Sequence, residues 1–253
     1  MQNQKVTAII PTFNEEENIE RAINSVLWAD EILIVDSFSK DKTLDIARKY
    51  NCRILEHEYK NSATQKNWTI PQATHEWIFL LDADETCSEQ LRDEMLSLLE
   101  KGTSHSAFRI FRQNFFMGKM IRYCGWQSDS VIRLFRRDNC RYQDLNVHAE
   151  IVSEGSTGTL KNKIYHYTYS SYTRYAEKYE KYTTWSAKDR LKKTKKVTCF
   201  HLVVKPAFRF FKQYILKLGI LDGKVGFILC TMSSYSVFLR YLKAWRILEN
   251  EKL

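Results

Sequence analysis

The stretch Ile78-Phe79-Leu80-Leu81-Asp82-Ala83-Asp84-Glu85 decides how this 253-residue chain is read. Its uninterrupted apolar run predicts a strand buried on both faces, and the run stops abruptly at carboxylates. Asp82 and Asp84 stand two residues apart, so they share a face if strand geometry persists. The carboxyl end of a central parallel strand is where open α/β sheets place their ligands. Hard oxygen donors beside such a crevice suit a divalent cation that holds a diphosphate. The competing reading is local: Asp84 or Ser88 caps the helix that follows, and acidic residues after a strand are ordinary turn chemistry.

Upstream, residues 6–10 form a short apolar strand ending at Pro11. Asn14 is placed to cap a helix whose first turn carries Glu15, Glu16 and Glu17. Ile19, Ala22, Ile23, Val26 and Leu27 recur at helical spacing on its sheet-facing side. Residues 31–35 are a second strand running into Asp36, with Ser39 as the expected cap of the next helix. Residues 53–56 are a third strand, a helix follows over about 63–68, and 77–81 is the fourth strand. Ser88 then caps a helix packed through Leu91, Met95, Leu98 and Leu99. Such strand–helix alternation predicts parallel βαβ units with right-handed crossovers. Thr12, Asn14, Asp36, Asp82 and Asp84 all follow strands, so one crevice can collect them. The first turn lacks G-x-G-x-x-G and the chain lacks a P-loop, which argues against both of those nucleotide-binding designs.

Beyond Gly102, residues 107–116 alternate like a strand, 118–125 are turn-rich, 131–135 are another strand, and 144–150 form a polar loop leading into Ile151-Val152. The expected fold class is therefore α/β, a mixed, mostly parallel sheet flanked by helices.

Charge divides the chain. Residues 1–155 carry 19 Lys/Arg against 24 Asp/Glu, a net of −5, whereas 156–253 carry 20 against 6, a net of +14; together these make the chain's +9. A part so basic is expected to meet something anionic, a phospholipid surface or a nucleic acid. The six cysteines show no CxxC pair and read as reduced thiols. The N-terminus has no secretory pattern. The longest uncharged apolar stretch, 225–239, falls short of the roughly 20 residues that cross a bilayer and reads as buried or interfacial. Tyr172, Tyr175, Tyr179 and Tyr182 make one helical stripe, more in keeping with packing than with sugar stacking. In 207–218, Phe208, Phe211, Ile215 and Leu218 line one face while Arg209, Lys212 and Lys217 punctuate it, the pattern of a helix lying in a membrane interface.

Four motifs in order, PTFNEEENI, IVDSFSKDKT, QKNW and FLLDADE, followed by GWQSDSVIRLF, DLNVHAE and LKLGILDGKVGF, resemble family 2 glycosyltransferases of the GT-A fold. The likeness covers most of the chain and is strongest to the bacterial branch that builds lipopolysaccharide core and related envelope glycans. It implies a catalytic domain over 1–165, with a nucleotide-sugar-binding half (1–101) and an acceptor-side half (102–165), and a basic, aromatic helical, membrane-associating extension over 166–253. It implies further that Pro11, Thr12, Asn14, Glu15, Asp36, Gln65, Lys66, Asp82 and Ala83 surround the nucleotide sugar. Asp84 would hold Mg²⁺ or Mn²⁺, with Asp82 on the ribose, the metal or a metal-bound water. An inverting transfer needs a base opposite the leaving group. The branch usually shows V-H-E where this chain has Val147-His148-Ala149-Glu150, which leaves three candidates: Glu150, Asp129 and His148. Arg133 and Arg136 are candidates for the diphosphate, and His166 is read either way.

The resemblance thus implies an inverting hexosyltransferase that uses a nucleotide sugar, UDP-linked, on a lipid-linked or lipopolysaccharide-core acceptor. Its place would be the cytoplasmic face of a bacterial inner membrane, held there by anionic lipid. A catalytically altered nucleotide-sugar-binding protein is the first alternative. A nucleic-acid-binding module is the second, disfavoured by the acidic N-terminal half and the lack of any recognised binding signature. A nucleotidyltransferase would need a glycine-rich, basic first loop, which PTFNEEEN does not supply.

Overall fold

A computed structural model describes residues 4–143, 149–169, 172–191 and 194–249. Its first strands and helices alternate: β1 (Val6–Thr12), α1 (Ile19–Asn24), β2 (Glu31–Asp36), α2 (Thr43–Ala47), β3 (Arg53–Glu56), α3 (Ser62–Thr69), β4 (Trp77–Leu80), β5 (Glu85–Cys87) and α4 (Glu89–Lys101). Then come β6 (Ala107–Phe116), β7 (Lys119–Met120), β8 (Ser130–Arg136), β9 (Cys140–Tyr142), β10 (Ile151–Ser153) and β11 (Thr157–Tyr169). Three helices follow: α5 (Tyr172–Leu191), α6 (Lys205–Phe211) and α7 (Gly223–Leu248). The main sheet runs β3-β2-β1-β4-β8-β6-β11-β5, with β7 hairpinned onto β6, and β9 and β10 form a separate ribbon. β1 pairs in parallel with β2 and β4, while β8 joins β4 antiparallel.

The apolar runs of β1, β2 and β4 follow from burial on both faces. Ala8, Ile10, Ile34 and Phe79 pack on one side with Ile19, Ile23, Leu91 and Met95 from α1 and α4. Ile9, Leu33, Ile78 and Leu80 pack on the other with Ile70 and Phe135. A strand covered twice has no polar face to present, so its sequence does not alternate. Ser88 caps α4 by accepting from the Leu91 amide, as its place in the sequence predicts.

Two expected caps are not formed. α1 starts at Ile19, and Asn14 instead takes a left-handed backbone (φ 52°), a conformation asparagine tolerates. Its side chain accepts from the Lys40 amide at 2.8 Å and its own amide donates to Ser39 Oγ at 2.8 Å. Ser39 therefore ties the first two loops together rather than opening α2, which starts at Thr43.

The chain divides into two compact units, Met1–Gln113 with Asp129–His166, and Asn114–Ser128 with Tyr167–Leu253. Residues 114–128, which the sequence alone keeps with 102–165, thus cluster with the C-terminal helices. The Arg122 and Tyr123 amides donate to the Asp222 carboxylate at 3.0 and 2.9 Å, and Cys124 is buried with Leu229 and Cys230. In this second unit a helical stretch with π-type turns precedes and follows α6.

Gly219–Leu248 is long and apolar enough to cross a membrane by length and composition, and 28% of its most apolar window is buried. That differs from the shorter stretch counted in the sequence, because a helical span tolerates a Lys or Arg that snorkels from near its end.

A Cβ at Gly226 would lie 2.0 Å from the Gly219 carbonyl oxygen. Gly226→Ala gains about 1 kcal/mol of helix propensity but forces backbone apart, at a cost of about 1–3 kcal/mol or more. A lowered thermal midpoint is the expected net result, read by circular dichroism.

Candidate active site

The carboxyl ends of β1, β2 and β4 open on a cavity of about 240 Å³ lined by Pro11, Thr12, Glu15, Ser37, Gln65 and Lys66, and by the Asp82-Ala83-Asp84 turn, among others. Thr12 Oγ1 is buried there without a hydrogen-bond partner. Gln65 reaches in from α3, donating to Ser37 Oγ at 2.5 Å. Asp36 lies behind the wall, fully buried, accepting from the Ser39 amide at 2.7 Å and from Ser39 Oγ at 2.5 Å. It holds the loop that carries Ser37, and neither Asp36 nor Asn14 is among the lining residues.

Asp82 and Asp84 do not share a face. Strand pairing ends before them: the Glu85 amide donates to the Asp82 carbonyl at 2.8 Å, and the Asp82 amide donates to Glu85 Oε2 at 3.0 Å. This closed turn sends the two carboxylates apart. Asp82 accepts from Lys66 Nζ at 2.8 Å and from Arg133, with Arg112 at 3.7 Å. Burial alone would raise its pKa, but Arg133, Lys66 and Arg112 hold it well below the carboxylate range. Burial would likewise lower Lys66, and the Asp82 carboxylate outweighs it, so the ammonium is held charged. Glu85, fully buried, accepts from Arg112 Nε at 2.7 Å and Arg133 Nη2 at 2.9 Å.

Asp84 points elsewhere. Its Oδ2 lies 3.7 Å from His166 Nε2, both side chains being largely buried. Burial would lower the imidazole pKa, but the Asp84 contact raises it overall. An oxygen and an imidazole nitrogen at this separation can share a divalent cation. Among the described residues no group of three or more His, Cys, Asp or Glu is arranged to hold a metal. Asp84 and His166 would thus supply two ligands and leave the remainder to a substrate, as Mg²⁺ and Mn²⁺ sites on phosphates commonly do.

A second cavity, of about 370 Å³, shares Ser62, Lys66 and Asp82 with the first and extends to Arg109, Arg112, Asp129, Arg133, Tyr142 and Glu150. Asp129 precedes β8 and sits 3.6 Å from Arg112. Glu150 is exposed at the cavity wall, without an ion-pair partner among the described residues. His148 lies outside the described residues. Arg136 is not part of either cavity; it pairs with Glu76 and stacks over Trp77 at 4.7 Å. Asn67 and Tyr142 exchange hydrogen bonds of 2.9 and 2.8 Å, which ties α3 to β9 at the cavity wall.

Sequence reading missed Ser37, Ser62, Arg109, Arg112, Tyr142 and Glu85. The arginines did leave a signal, being charges set in otherwise apolar strands, where burial demands a partner.

Residues 7–154 match the family model described as Glycosyl transferase family 2. An uncharacterized glycosyltransferase of Rickettsia typhi is 27% identical over 257 residues, spanning 95% of this chain and 86% of the relative. The lipopolysaccharide core biosynthesis glycosyltransferase LpsC of Rhizobium meliloti is 28% identical over 254 residues, spanning 95% and 92%. Among solved structures, residues 1–349 of TarS from S. aureus superpose with a TM-score of 0.50 at 16% identity, covering 98% of this chain and 90% of that one. At that identity the likeness is one of fold, and it agrees with a GT-A-like mixed sheet flanked by helices.

Removing Arg133 leaves the buried Glu85 carboxylate with one cation, Arg112, in place of two. Arg133→Met is expected to lose about 3–5 kcal/mol of stability in urea unfolding. Adding Glu85→Gln should recover part of that loss.

Proposed function

The chain belongs to glycosyl transferase family 2 and is a glycosyltransferase, and we propose that it moves a hexose, with inversion, from a UDP-linked sugar to a lipid-linked acceptor of the lipopolysaccharide-core type. One observation carries the reading: two cavities meet over Lys66 and Asp82, one at the carboxyl ends of the parallel strands and one beyond them. A donor in the first and an acceptor in the second would place the bond to be broken between them.

In this reading Thr12, Glu15, Ser37 and Gln65 receive the nucleoside, with the orphaned Thr12 hydroxyl finding its partner there. Lys66 faces the diphosphate from α3, with Arg133 and Arg112 behind it. A divalent cation between Asp84 and His166 would neutralise charge growing on the leaving diphosphate. Asp82, engaged by two cations, orients Lys66 and offers its remaining exposed edge to the ribose. Glu150, which has no ionic partner among the described residues, takes the proton from the acceptor hydroxyl. That oxygen bonds to the anomeric carbon as the carbon–oxygen bond to the diphosphate breaks on the opposite face. Asp129 is the second candidate, its charge already met by Arg112.

The acceptor class rests on the name of the Rhizobium meliloti relative and on the second unit. There Phe208, Leu216 and Leu221 are 58, 59 and 61% exposed beside Arg209, Lys212 and Lys217. Such a surface suits the anionic cytoplasmic face of a membrane. Peripheral docking fits better than spanning, because Lys243 of α7 is buried against Glu180, Thr183 and Thr184.

A thermal-shift screen of UDP, GDP and dTDP sugars with and without Mn²⁺ is expected to show stabilisation by one nucleotide class, dependent on the metal. Equal, metal-independent responses would sink the donor assignment. Asp84→Ala should remove the metal dependence and the activity together. Glu150→Gln should lower kcat by about 10²–10⁴ while donor binding persists; if Asp129→Asn does so instead, the base is reassigned. Phe208→Ser with Leu221→Ser should move the protein from membranes to the soluble fraction, and unchanged partitioning would remove this surface from the role.

A further inference from the structure

Away from the catalytic cavities, the second unit gathers cations that no carboxylate answers among the described residues. Tyr241, almost fully buried on α7, accepts from Arg190 Nη1 of α5 at 2.8 Å and from Lys205 Nζ at the start of α6 at 2.7 Å. Both cations also lie 4.7 Å from the centre of its ring, and the His201 ring is 4.9 Å away. Arg240 immediately precedes Tyr241 on α7, and two turns before it Ser233 accepts from Arg209 Nε at 3.0 Å. Among the described residues, none of Arg190, Lys205, Arg209 and Arg240 has a carboxylate within 4.0 Å. The neighbouring ion pair, Lys243 with Glu180, uses that carboxylate for a different cation.

Two further observations favour an anion beside these cations. The Nε atoms of Arg190 and Arg240 are buried with no hydrogen-bond partner, which costs a charged donor much of its hydration. The repulsion is also felt. Burial first, then Arg190 and Arg209, depress the Arg240 guanidinium; His201 is lowered by burial, Lys205 and Arg190. Guanidinium forks match the several oxygens of a phosphate, in a geometry that an isolated ammonium does not reproduce. The surroundings indicate where the phosphate comes from. Phe200, Val203, Val204 and Phe208 are 54, 64, 48 and 58% exposed along the same helical stretch. Apolar side chains in water beside a cationic cluster suit acyl chains below a headgroup, and a nucleic acid would leave them wet.

We infer that Arg190, Lys205, Arg209 and Arg240 form a binding site for the phosphate of an anionic lipid headgroup, with Phe200 to Phe208 entering the lipid beside it. This rests on the reading that the second unit docks on a membrane, and it replaces a diffuse attraction with a built site. None of the four residues belongs to the catalytic machinery proposed above.

The experiment is vesicle flotation of the full chain at about 0.15 M salt, with phosphatidylglycerol vesicles against phosphatidylcholine vesicles. Arg190→Gln with Arg240→Gln is expected to reduce partitioning onto phosphatidylglycerol roughly tenfold or more. Lys212→Gln with Lys224→Gln, which removes the same charge from exposed positions, should reduce it several-fold less. Arg190→Lys with Arg240→Lys keeps the charge and loses the forks, so it too should weaken binding, and it decides the matter if the glutamine pair does not fold. Equal losses in the cluster and control pairs, or full binding by the lysine pair, would overturn the site. Displacement by millimolar inorganic phosphate, or by an oligonucleotide bound in preference to the vesicles, would overturn the lipid assignment. The UDP and Mn²⁺ thermal shift of the same variants should match the unaltered chain. A chain that shows no such shift yet still binds vesicles through the cluster would sink the donor reading alone.

Discussion

Arg133 is held between Asp82 and Glu85, and the geometry of the catalytic floor follows from that contact. Its guanidinium is buried at 2% exposure, a position that is tenable only because two carboxylates meet it. Lys66 comes to the same Asp82 from α3, and Arg112 comes to the same Glu85 from β6. One network therefore joins the end of β4 to α3, β6 and β8. Breaking any member leaves a desolvated charge behind, so the parts hold each other in one arrangement. Where the parallel strands end and the antiparallel ones begin, this network fixes the floor on which both cavities stand.

The network also decides how the two aspartates divide their work. Asp82 spends its charge on cations of its own chain and becomes an anchor. Asp84, turned away by the tight Asp82–Glu85 turn, is left facing His166 beside the cavity. Three cations, Lys66, Arg112 and Arg133, meet three carboxylates, Asp82, Glu85 and Asp129, so the floor is an ion-pair network whose charges balance.

The C-terminal unit solves a different problem. Its helices bury Tyr175, Leu229, Cys230 and Tyr241 yet leave long apolar side chains in water and, among the described residues, cations without a carboxylate beside them. In an isolated aqueous protein both features cost free energy. The anionic membrane surface proposed above would relieve both at once.

Much of this was legible in the residues themselves. The apolar runs of β1, β2 and β4 could only be strands covered on both faces, because no other short element buries every side chain it has. The carboxylates and Thr12 followed those strands in an order that marked the crevice, Gln65 was named by the family resemblance, and the charge imbalance set the basic C-terminal part of the chain apart. Periodicity failed at Asp82 and Asp84, where it predicted a shared face. Side-chain direction beyond the last ladder bond is set by the Asp82–Glu85 hydrogen bonds and by cations 16 and 51 residues away. The same holds for Arg109, Arg112 and His166, which no local pattern connects to the crevice. Local sequence determines which elements form and which faces they bury, because those depend on backbone geometry and hydration. Which charges meet across the chain depends on the antiparallel return of β8, β6 and β11, and only the tertiary structure decided that.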